Sequence, residues 1–441
     1  MKFNYIPLII FTLCEFSLSA NAQNYTAYST GSIADLVSNP EGGICLMGGA
    51  SEHDEAMRWF LRRADGGDVL VLRASGSDGY NAYMYSQLGV TIHSVTTIVC
   101  HNAAASLDSF VLNKIATAEA IWFAGGDQWD YVDYWRGTAV DSLINLAIKN
   151  RNIVIGGTSA GMAIQGGYYF SAQNGTVSST TALANPYASS MTVDSMSFID
   201  NKYLENVITD THYDNPDRRG RHSAFLARIL SDYGVAAKGI ACEEYTAVCI
   251  DTSGIARVYG DYPNYDEQAF FIQSNCQLTD PSPEQCSPGQ PLNWYRDSVA
   301  LKVCAIHGTP MGLNTFDLND WSTQSGGQWQ HWFIQNGAYQ ALSGDSIDCS
   351  TITSDDEIEA APIEIFPNPV FDKLQIRLPL ALGATAIQLY HISGRLLRTY
   401  PVNENSDFEI PMLDAAAGTY FIVLYKNQTI LARKMLIKVS Y

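Results

Sequence analysis

One serine in the sequence has the surroundings of a catalytic nucleophile. Residues 157–161 read Gly-Thr-Ser-Ala-Gly, a G-x-S-x-G pattern that follows an apolar run at 153–155 and precedes a helix-compatible run. In such a strand-turn-helix the sharp turn exposes the serine oxygen, and the glycines keep the crowded backbone feasible. We therefore expect Ser159 to attack a carbonyl carbon and the N–H of Ala160 to bind the oxyanion. The alternative is a phosphate-binding turn, but the Walker lysine and the G-x-G-x-x-G spacing are absent here.

A serine nucleophile needs a base, and His212 is the histidine whose position suits that role. Residues 207–213 read Val-Ile-Thr-Asp-Thr-His-Tyr, which places His212 at the carboxyl end of a predicted strand. A helix is expected to follow, with Asn215 as its cap, Pro216 at its first position and Gly234 past its end. The alternative is a hydrogen-bonded surface histidine.

The third member of a triad would be a carboxylate that orients the histidine. Residues 235–242 read as a strand, and Glu243 and Glu244 stand at its end, before a further strand at 246–250. A carboxylate at a strand terminus could reach the histidine. A solvated strand-end acid is the alternative that these residues leave open.

Three arginines, Arg218, Arg219 and Arg221, open the helix predicted after His212. Cations in a first turn oppose the helix dipole, so helix stability does not explain them. Guanidinium groups beside a candidate base are well suited to binding a substrate carboxylate. A solvated basic face is the alternative for any one of them.

Apolar strand-like runs alternate with helical runs around these residues. Strands are predicted at 44–47, 68–73, 97–99, 119–123 and 152–155, and helices at 53–64, 104–117 and 128–150. Such strands, apolar throughout, indicate a parallel sheet covered on both faces, with a run at 301–306 as its last strand. Catalytic groups gather at the carboxyl ends of such strands. Three glycine turns occur there: Gly48-Gly49, Gly125-Gly126 and Gly156-Gly157.

Length and charge limit the classes of function. A chain of 441 residues is too long for one ordinary domain, and 46% hydrophobic residues suffice for a sizeable core. The 45 acidic and 26 basic side chains give a formal net charge of -19. Such a field repels phosphate backbones, so nucleic acid is not an expected partner.

The N-terminus has the pattern of a secretory signal peptide. Lys2 precedes an apolar run at 5–13, and residues 20–22 read Ala-Asn-Ala, an A-x-A cleavage site. A transmembrane anchor, the alternative, would need about 20 apolar residues, and Glu15 interrupts this run.

The cysteines fit an exported chain. Cys276 and Cys286 flank a proline-rich loop, and we expect a disulfide between them. Buried free thiols are expected at four positions in or beside apolar runs: Cys45, Cys100, Cys242 and Cys249. Because no C-x-x-C pair occurs, a zinc ribbon is excluded. Neither a metal nor an organic cofactor is expected.

The last part of the chain differs from the rest. Residues 353–362 form an acidic, proline-terminated linker, and strands are predicted after it at 373–378, 386–390, 420–425 and 434–439. Short strands separated by turn residues favour a small β-sandwich. In the motifs at 367–369, 392–395 and 417–420 this segment resembles the C-terminal sorting domain of type IX secretion cargo in Bacteroidetes. The resemblance implies periplasmic transit, removal of the tail, and release or surface attachment. A generic glycan- or protein-binding sandwich is the alternative.

The catalytic candidates together resemble the serine peptidase family of cyanophycinase and aspartyl dipeptidase (peptidase E). Four blocks match in order, at 124–128, at 157–161, at 210–213 with the arginines, and at 244–247, and the resemblance covers about residues 43–342. It implies a fold like the class I glutamine amidotransferases, with Ser159 as nucleophile, His212 as base and Glu244 as the orienting acid. It also implies an oxyanion hole from Ala160 and Gly126, and a substrate pocket lined by Gln128, Asp210, Arg218, Arg219 and Arg221.

The same family suggests hydrolysis after an aspartyl residue, including the β-linked aspartate of cyanophycin. Two departures concern the substrate. The cyanophycin-cleaving members carry glutamine where this chain has Thr211, and their arginines follow the histidine more closely, whereas residues 215–217 intervene here. Catalysis is therefore better supported than the substrate.

Two other functions remain open. An α/β-hydrolase esterase shares G-x-S-x-G, but its triad runs Ser, acid, His, in disagreement with the order found here. A catalytically silent surface protein that binds peptide or glycan would suit an aromatic-rich stretch: Trp321, Trp329, Trp332, Phe333 and Tyr339. A glutaminase would need cysteine in place of Ser159.

The sequence therefore predicts an α/β protein, with a three-layer α/β/α, mostly parallel sheet like that of class I glutamine amidotransferases and a small C-terminal β-sandwich. The expected segments are a signal peptide at 1–22, a peptidase domain at 23–352, a linker at 353–362 and a sorting domain at 363–441. The expected partners are a peptide substrate, the outer-membrane secretion machinery and a second copy of the chain in a homodimer. The expected location is secreted or at the cell surface.

Overall fold

The computed structural model describes residues 23–195, 198–349, 364–378, 384–391, 396–402, 407–412, 415, 418–426 and 429–439. The predicted signal peptide and linker lie outside these residues. Contacts between residues divide the chain into two units, Met1–Cys349 and Ser350–Tyr441. Within the described residues, no helix combines the length and the apolar character needed to cross a membrane.

The first unit is built from two large sheets and their helices. Its strands are β1 (Tyr25–Gly31), β2 (Gly43–Met47), β3 (Asp68–Arg73), β4 (Ser94–Cys100), β5 (Ala120–Phe123), β6 (Val154–Thr158), β7 (Tyr169–Phe170), β8 (Val193–Asp194), β9 (Val207–Asp210), β10 (Lys238–Cys242), β11 (Ala247–Ile250), β12 (Ile255–Tyr259), β13 (Gln268–Ser274), β14 (Leu301–His307), β15 (Asn314–Asp317), β16 (Gln324–Ser325), β17 (Gly327–Gln335) and β18 (Ala338–Ser343). Its α-helices are α1 (Asp54–Arg62), α2 (Gly79–Ala82), α3 (Ser109–Thr117), α4 (Gln128–Trp135), α5 (Ala139–Arg151), α6 (Ala160–Ala163), α7 (Ser179–Ala184) and α8 (Arg219–Tyr233).

The first sheet has ten strands in the order β1-β4-β3-β5-β6-β2-β11-β12-β15-β16. Its centre, β4-β3-β5-β6-β2, is parallel, as the alternation of strands and helices predicts. The flanking strands pair antiparallel. The alternation of strands and helices in the sequence does not predict these antiparallel pairs. The short connection between β11 and β12 explains one such pair, because a parallel pair needs a longer crossover.

The second sheet has six strands in the order β18-β17-β14-β13-β10-β9. Only β9 and β10 pair in parallel, and the other neighbours are antiparallel. The expectation that residues 301–306 form the last strand of the main sheet is wrong, because β14 lies inside this second sheet. An apolar run predicts a buried strand, but it does not identify the sheet to which the strand belongs.

Helices pack on both faces of the parallel centre. Successive side chains of a strand point to opposite faces, and β3 follows this rule. Val69 belongs to the same buried cluster as Phe60 of α1, whereas Leu70 belongs to a second cluster with Ile144 of α5. Because both faces are covered, the strands are apolar throughout, as the sequence analysis expected.

The disulfide differs from the expected one. Cys276 pairs with Cys349, with a Cα–Cα distance of 5.9 Å, so the expected bond between Cys276 and Cys286 is wrong. After β18 the chain crosses to β14, where Asp345 Oδ1 accepts a hydrogen bond from Lys302 Nζ at 2.8 Å. This crossing brings the end of the first unit towards Cys276, which follows β13. The thiols expected to be buried and free, at Cys45, Cys100, Cys242 and Cys249, are confirmed.

The second unit contains two antiparallel sheets. Its strands are β19 (Glu364–Phe366), β20 (Lys373–Arg377), β21 (Ala386–His391), β22 (Leu396–Pro401), β23 (Asp407–Pro411), β24 (Gly418–Lys426) and β25 (Thr429–Lys438). The sheet orders are β19-β20-β23 and β22-β21-β24-β25. Buried side chains of both sheets, such as Ile376 and Ile422, form one hydrophobic cluster.

Candidate active site

Ser159 stands at the turn between β6 and α6. Its backbone φ is 52°, in the left-handed region that residues other than glycine seldom adopt, and its N–H donates to Met47 O at 3.1 Å. The flanking glycines are a steric requirement. A Cβ on Gly157 would lie 2.6 Å from the carbonyl carbon of Gly161, and a Cβ on Gly161 would lie 2.0 Å from Phe123 O. The strand-turn-helix expected from the G-x-S-x-G pattern is present.

His212 lies two residues after β9 and links Ser159 to Glu244. Its Nε2 is 2.8 Å from Ser159 Oγ, and its Nδ1 is 2.6 Å from Glu244 Oε1. Because a carboxylate only accepts hydrogen bonds, Nδ1 donates to Glu244 and Nε2 is left to accept from the serine hydroxyl. The three side chains form a continuous hydrogen-bonded chain, in the arrangement that activates a serine.

The two adjacent glutamates after β10 have different partners. Glu243 Oε1 accepts from Arg219 at 3.2 Å and its Oε2 accepts from Gln268 N at 2.7 Å. Burial raises the pKa of Glu243 to about 7. The backbone N–H of Glu244 donates to Asp214 Oδ1 at 3.1 Å, and its side chain faces the histidine. Of the two carboxylates that the sequence leaves open, Glu244 is the one that contacts His212.

The Gly48-Gly49 turn at the end of β2 packs directly against the histidine. Gly48 O accepts from the N–H of His212 at 2.9 Å, and Gly49 O accepts from the N–H of Tyr245 at 3.1 Å. A Cβ on Gly49 would lie 2.4 Å from Cε1 and Nε2 of the imidazole. The position of this turn at a strand end is visible in the sequence. Its contact with His212 was not predicted, because a single sequence does not show which distant residues are close in space.

The helix after His212 begins later than expected. It starts at Arg219, with Arg218 as its N-cap residue, so the start predicted at Pro216 is wrong. The intervening residues form a turn instead, in which the N–H of Arg218 donates to Tyr213 O at 3.0 Å. The predicted end is confirmed, because Gly234 caps the helix with a φ of 68°.

Arg221 and Asp210 form a buried ion pair. Arg221 Nε donates to Asp210 Oδ2 at 2.9 Å and its Nη2 donates to Oδ1 at 2.5 Å. Although burial raises the pKa of Asp210, the adjacent charge of Arg221 outweighs it and lowers the pKa below its ordinary value. Arg221 also donates to Val177 O and is 4% exposed. Both side chains thus have hydrogen-bond partners within the protein.

Arg218 is the least engaged of the three arginines. Its Nε is buried and has no hydrogen-bond partner among the described residues, and its closest carboxylate oxygen, Asp210 Oδ1, is 3.9 Å from Nη1. Burial and the charge of Arg221 lower the pKa of Arg218, although a guanidinium remains charged at neutral pH. Arg219, in contrast, pairs with Glu243. Arg218 therefore offers donors and charge that an anionic ligand would satisfy.

The Gly125-Gly126 turn lies beside Ser159. A Cβ on Gly125 would be 3.7 Å from Ser159 Cβ. The buried hydroxyl of Tyr131 donates to Ala124 O at 2.8 Å, which holds the turn. Gly126 is the next residue, and Ala160 is the first residue of α6. The expected oxyanion donors thus lie on the two segments adjoining the nucleophile.

Gln128, expected in the substrate pocket, is the first residue of α4. Its Nε2 donates to Phe170 O. This contact ties the start of α4 to β7, so the amide group already has a protein partner.

The aromatic stretch that would suit a binding protein is mostly buried. Trp321, Trp332 and Phe333 are 4%, 0% and 3% exposed. Trp329 and Trp332 lie on β17, where they pair in register with residues of β14. These rings fill the core beside the second sheet, and they do not present an open surface to a glycan or peptide.

A cavity of about 870 Å³ lies away from the triad. Gly43 and Ile153, at the amino ends of β2 and β6, are among its lining residues, whereas the triad lies at the carboxyl ends of the strands. The cavity therefore takes no part in the assignment of the active site. In the described part of the chain, no group of three or more His, Cys, Asp or Glu side chains is arranged to hold a metal ion.

Two segments of the chain match known families. Residues 73–258 match the model of Peptidase family S51, and residues 364–438 match that of the Secretion system C-terminal sorting domain. No curated protein matches the chain. One similar solved structure is a peptidase from an acI-B1 Actinobacterium, with 15% identity, a TM-score of 0.38, and coverage of 52% of this chain and 94% of that chain.

A second similar structure is a putative peptidase E protein from Listeria monocytogenes EGD-e, with 15% identity and a TM-score of 0.32. The match covers 50% of this chain and 98% of that chain. The two family matches confirm the resemblances found in the motifs: the chain is similar to Peptidase family S51 over residues 73–258 and to the secretion system C-terminal sorting domain over residues 364–438.

Proposed function

We propose that this chain is a secreted serine peptidase in which Ser159, His212 and Glu244 form the catalytic triad. The observation that carries the proposal is the hydrogen-bonded chain of 2.8 Å from Ser159 Oγ to His212 Nε2 and 2.6 Å from His212 Nδ1 to Glu244 Oε1. The similarity to Peptidase family S51 supports the same reaction class.

In the first half of the reaction, Ser159 Oγ attacks the scissile carbonyl carbon while His212 Nε2 takes its proton. Glu244 stabilises the imidazolium through Nδ1. The N–H groups of Ala160 and Gly126 stabilise the negative oxygen, and one such donor contributes roughly 3 kcal/mol to the transition state. His212 then protonates the leaving amine, and the acyl-enzyme remains. In the second half, His212 takes a proton from the water that attacks the ester carbonyl, and it returns this proton to Ser159 Oγ as the ester bond breaks and the acid product leaves.

We propose that the acyl side of the substrate carries an aspartyl carboxylate that Arg218 binds. An uncompensated guanidinium forms strong, bidentate hydrogen bonds with carboxylates. The buried Nε of Arg218, which has no hydrogen-bond partner in the part of the chain that the structure describes, supports this role. Arg221 and Asp210, which satisfy each other, would support the pocket from behind, and Arg219 with Gln128 would complete its wall. Hydrolysis of α-linked and β-linked aspartyl peptides distinguishes the two possible linkages.

We also propose that residues 1–22 are a signal peptide, that residues 23–352 form the peptidase, and that residues 363–441 direct the chain to the outer-membrane secretion machinery before the tail is removed at the linker, 353–362. The match of residues 364–438 to the sorting domain supports this route.

Hydrolysis of a β-Asp-Arg polymer and of α-linked Asp-X dipeptides by wild type and Ser159→Ala tests the proposal. Wild-type turnover that disappears in the variant is expected, and the linkage hydrolysed identifies the substrate. Labelling of wild type by a serine-reactive phosphonate, absent in Ser159→Ala, is expected even when no peptide on the panel fits. Turnover that persists in Ser159→Ala, or absence of both turnover and labelling, would refute the triad.

The role of Arg218 has its own test. Arg218→Met is expected to lower kcat/KM for an Asp substrate at least 10-fold while changing an Asn analogue little, because only the carboxylate loses a charged partner. Arg228→Met is the matched control, since Arg228 lies farther along α8 and pairs with Asp232. Equal losses for the Asp and Asn substrates would contradict carboxylate recognition by Arg218.

A further inference from the structure

Two adjoining loops near the triad expose large apolar side chains. Residues 260–267 connect β12 to β13, and residues 308–313 connect β14 to β15. Together with one tyrosine of the turn after β10 they form what we call the loop surface: Tyr245 (50% exposed), Tyr262 (41%), Tyr265 (62%), Met311 (61%) and Leu313 (70%).

The two loops are held together by backbone contacts. The N–H of Tyr262 donates to Gly308 O at 3.0 Å, and the N–H of Gly260 donates to Thr309 O at 3.2 Å. The ring of Tyr262 stacks on His307 with 4.2 Å between the ring centroids. The exposed side chains therefore stand on an ordered backbone. Less conformational entropy of the loops is lost when a ligand binds.

The loop surface is tied to the segments that hold the triad. At one end of loop 260–267, Asp261 Oδ1 lies 3.7 Å from Nε2 of His53, in the segment after the Gly48-Gly49 turn. At the other end, the backbone of Gln268 exchanges hydrogen bonds with Glu243. Tyr245 follows Glu244 directly. The loop surface therefore lies at the same edge of the sheets as the proposed catalytic centre, since Tyr259 at the end of β12 pairs with Ala247, and Ala247 pairs with Met47 at the end of β2.

We propose that the loop surface binds an extended polypeptide substrate beyond the cleaved bond and selects apolar side chains there. This inference rests on the proposed function, because it assigns the surface to the same substrate. Large apolar groups exposed together favour a partner that removes them from water. Asp261 and Asp266, with side chains 54% and 87% exposed, add a preference for basic side chains at the edge of the surface.

The position of the loops in the chain separates this surface from the matched peptidase segment. Residues 260–267 and 308–313 follow the segment 73–258 that matches Peptidase family S51. The antiparallel strands that carry them, β13 to β15, extend the sheets beyond that segment. Selection of apolar side chains along an extended substrate is accordingly a property that we assign to residues outside the matched segment.

Binding to the inert Ser159→Ala protein tests the proposal without turnover. Binding of fluorescein-labelled peptides is measured by fluorescence anisotropy. The peptides have three or ten residues, each with one aspartate, and carry either leucine and phenylalanine or serine at the other positions. The apolar ten-residue peptide is expected to bind at least 10-fold more tightly than its serine counterpart. Tyr265→Ser with Leu313→Ser should abolish that preference. The control pair, Ile33→Ser with Leu107→Ser, removes side chains that are 90% and 79% exposed elsewhere and should retain it.

Equal binding of the apolar ten-residue peptide by the loop variant and the control variant would overturn the proposal. Phosphonate labelling separates this result from a failure of the proposed function. For this measurement the two loop substitutions are made in the chain that retains Ser159, and labelling at the wild-type rate then means that the triad is intact and that the loops alone are at issue. Absence of both labelling and turnover in wild type refutes the triad, whereas the binding measurement still decides whether the loops bind the peptide.

Discussion

Gly49→Ala should disable the triad without removing any catalytic side chain. A Cβ at this position would lie 2.4 Å from Cε1 and Nε2 of His212, where ordinary contacts begin at 3.4 Å. The imidazole must therefore retreat by about 1 Å, and its Nε2 would leave the 2.8 Å hydrogen bond with Ser159 Oγ. A misplacement of about 1 Å can cost a reaction roughly 100-fold in rate, or about 2.7 kcal/mol in its barrier.

The assay is the rate of phosphonate labelling of Ser159, supplemented by kcat on any peptide that the wild type hydrolyses. Gly89→Ala is the matched control. Gly89 also has a positive φ, 68° compared with 121° at Gly49, and nothing lies within 4 Å of a Cβ built on it, so this variant places an alanine at a positive φ without the collision. Labelling of Gly49→Ala within threefold of Gly89→Ala would refute the reasoning, because the histidine would then tolerate the added methyl group.

Three further predictions concern stability and the acid of the triad. Replacing both Cys276 and Cys349 by serine should lower the free energy of unfolding by about 4 kcal/mol in urea titrations, since the bond spans 73 residues; a loss below about 1 kcal/mol would contradict this. Burial raises the pKa of Glu119 to about 7, so the folded chain binds the proton more tightly than the unfolded chain, and stability should fall as pH rises from about 4.5 to about 7. Glu119→Gln should flatten the dependence of Tm on pH in that window, and an unchanged slope would be evidence against it. Glu244→Gln should lower the labelling rate by a factor on the order of 10⁴, as in other serine triads, with Tm little changed; a wild-type rate would exclude Glu244 from the triad.

Local features of the site were predictable because their causes are local. Gly157 is required by a contact with Gly161 inside the turn, although Gly161 itself is required by the neighbouring strand at Phe123. His212 stands at the end of a strand whose apolar run is visible in the sequence. The choice between Glu243 and Glu244 was not decided by residue type or position. It depends on which side chain meets Arg219 and which meets the imidazole, and the family resemblance was needed to name Glu244.

Features that depend on distant parts of the chain were missed. The pairing of Cys276 with Cys349 depends on the chain crossing from β18 to β14, and a spacing in sequence does not reveal that path. The second sheet was missed for a similar reason, since the run that forms β14 predicts a strand without identifying its neighbours, and β13 was not predicted. Likewise, Arg221 reads as a substrate contact until its buried partner Asp210 is located.

The three side chains of the proposed triad do not belong to one sheet. Ser159 follows β6 of the ten-stranded sheet, His212 follows β9 of the six-stranded sheet, and Glu244 lies on the crossing from β10 to β11, from one sheet to the other. The hydrogen-bonded chain from Ser159 through His212 to Glu244 therefore crosses the boundary between two sheets that are each hydrogen-bonded internally. A displacement of about 1 Å between the two sheets would abolish the activity while every strand kept its hydrogen-bonded partners. On heating, activity should consequently be lost before secondary structure. Mutations that weaken the packing between the two sheets should lower activity before they affect folding.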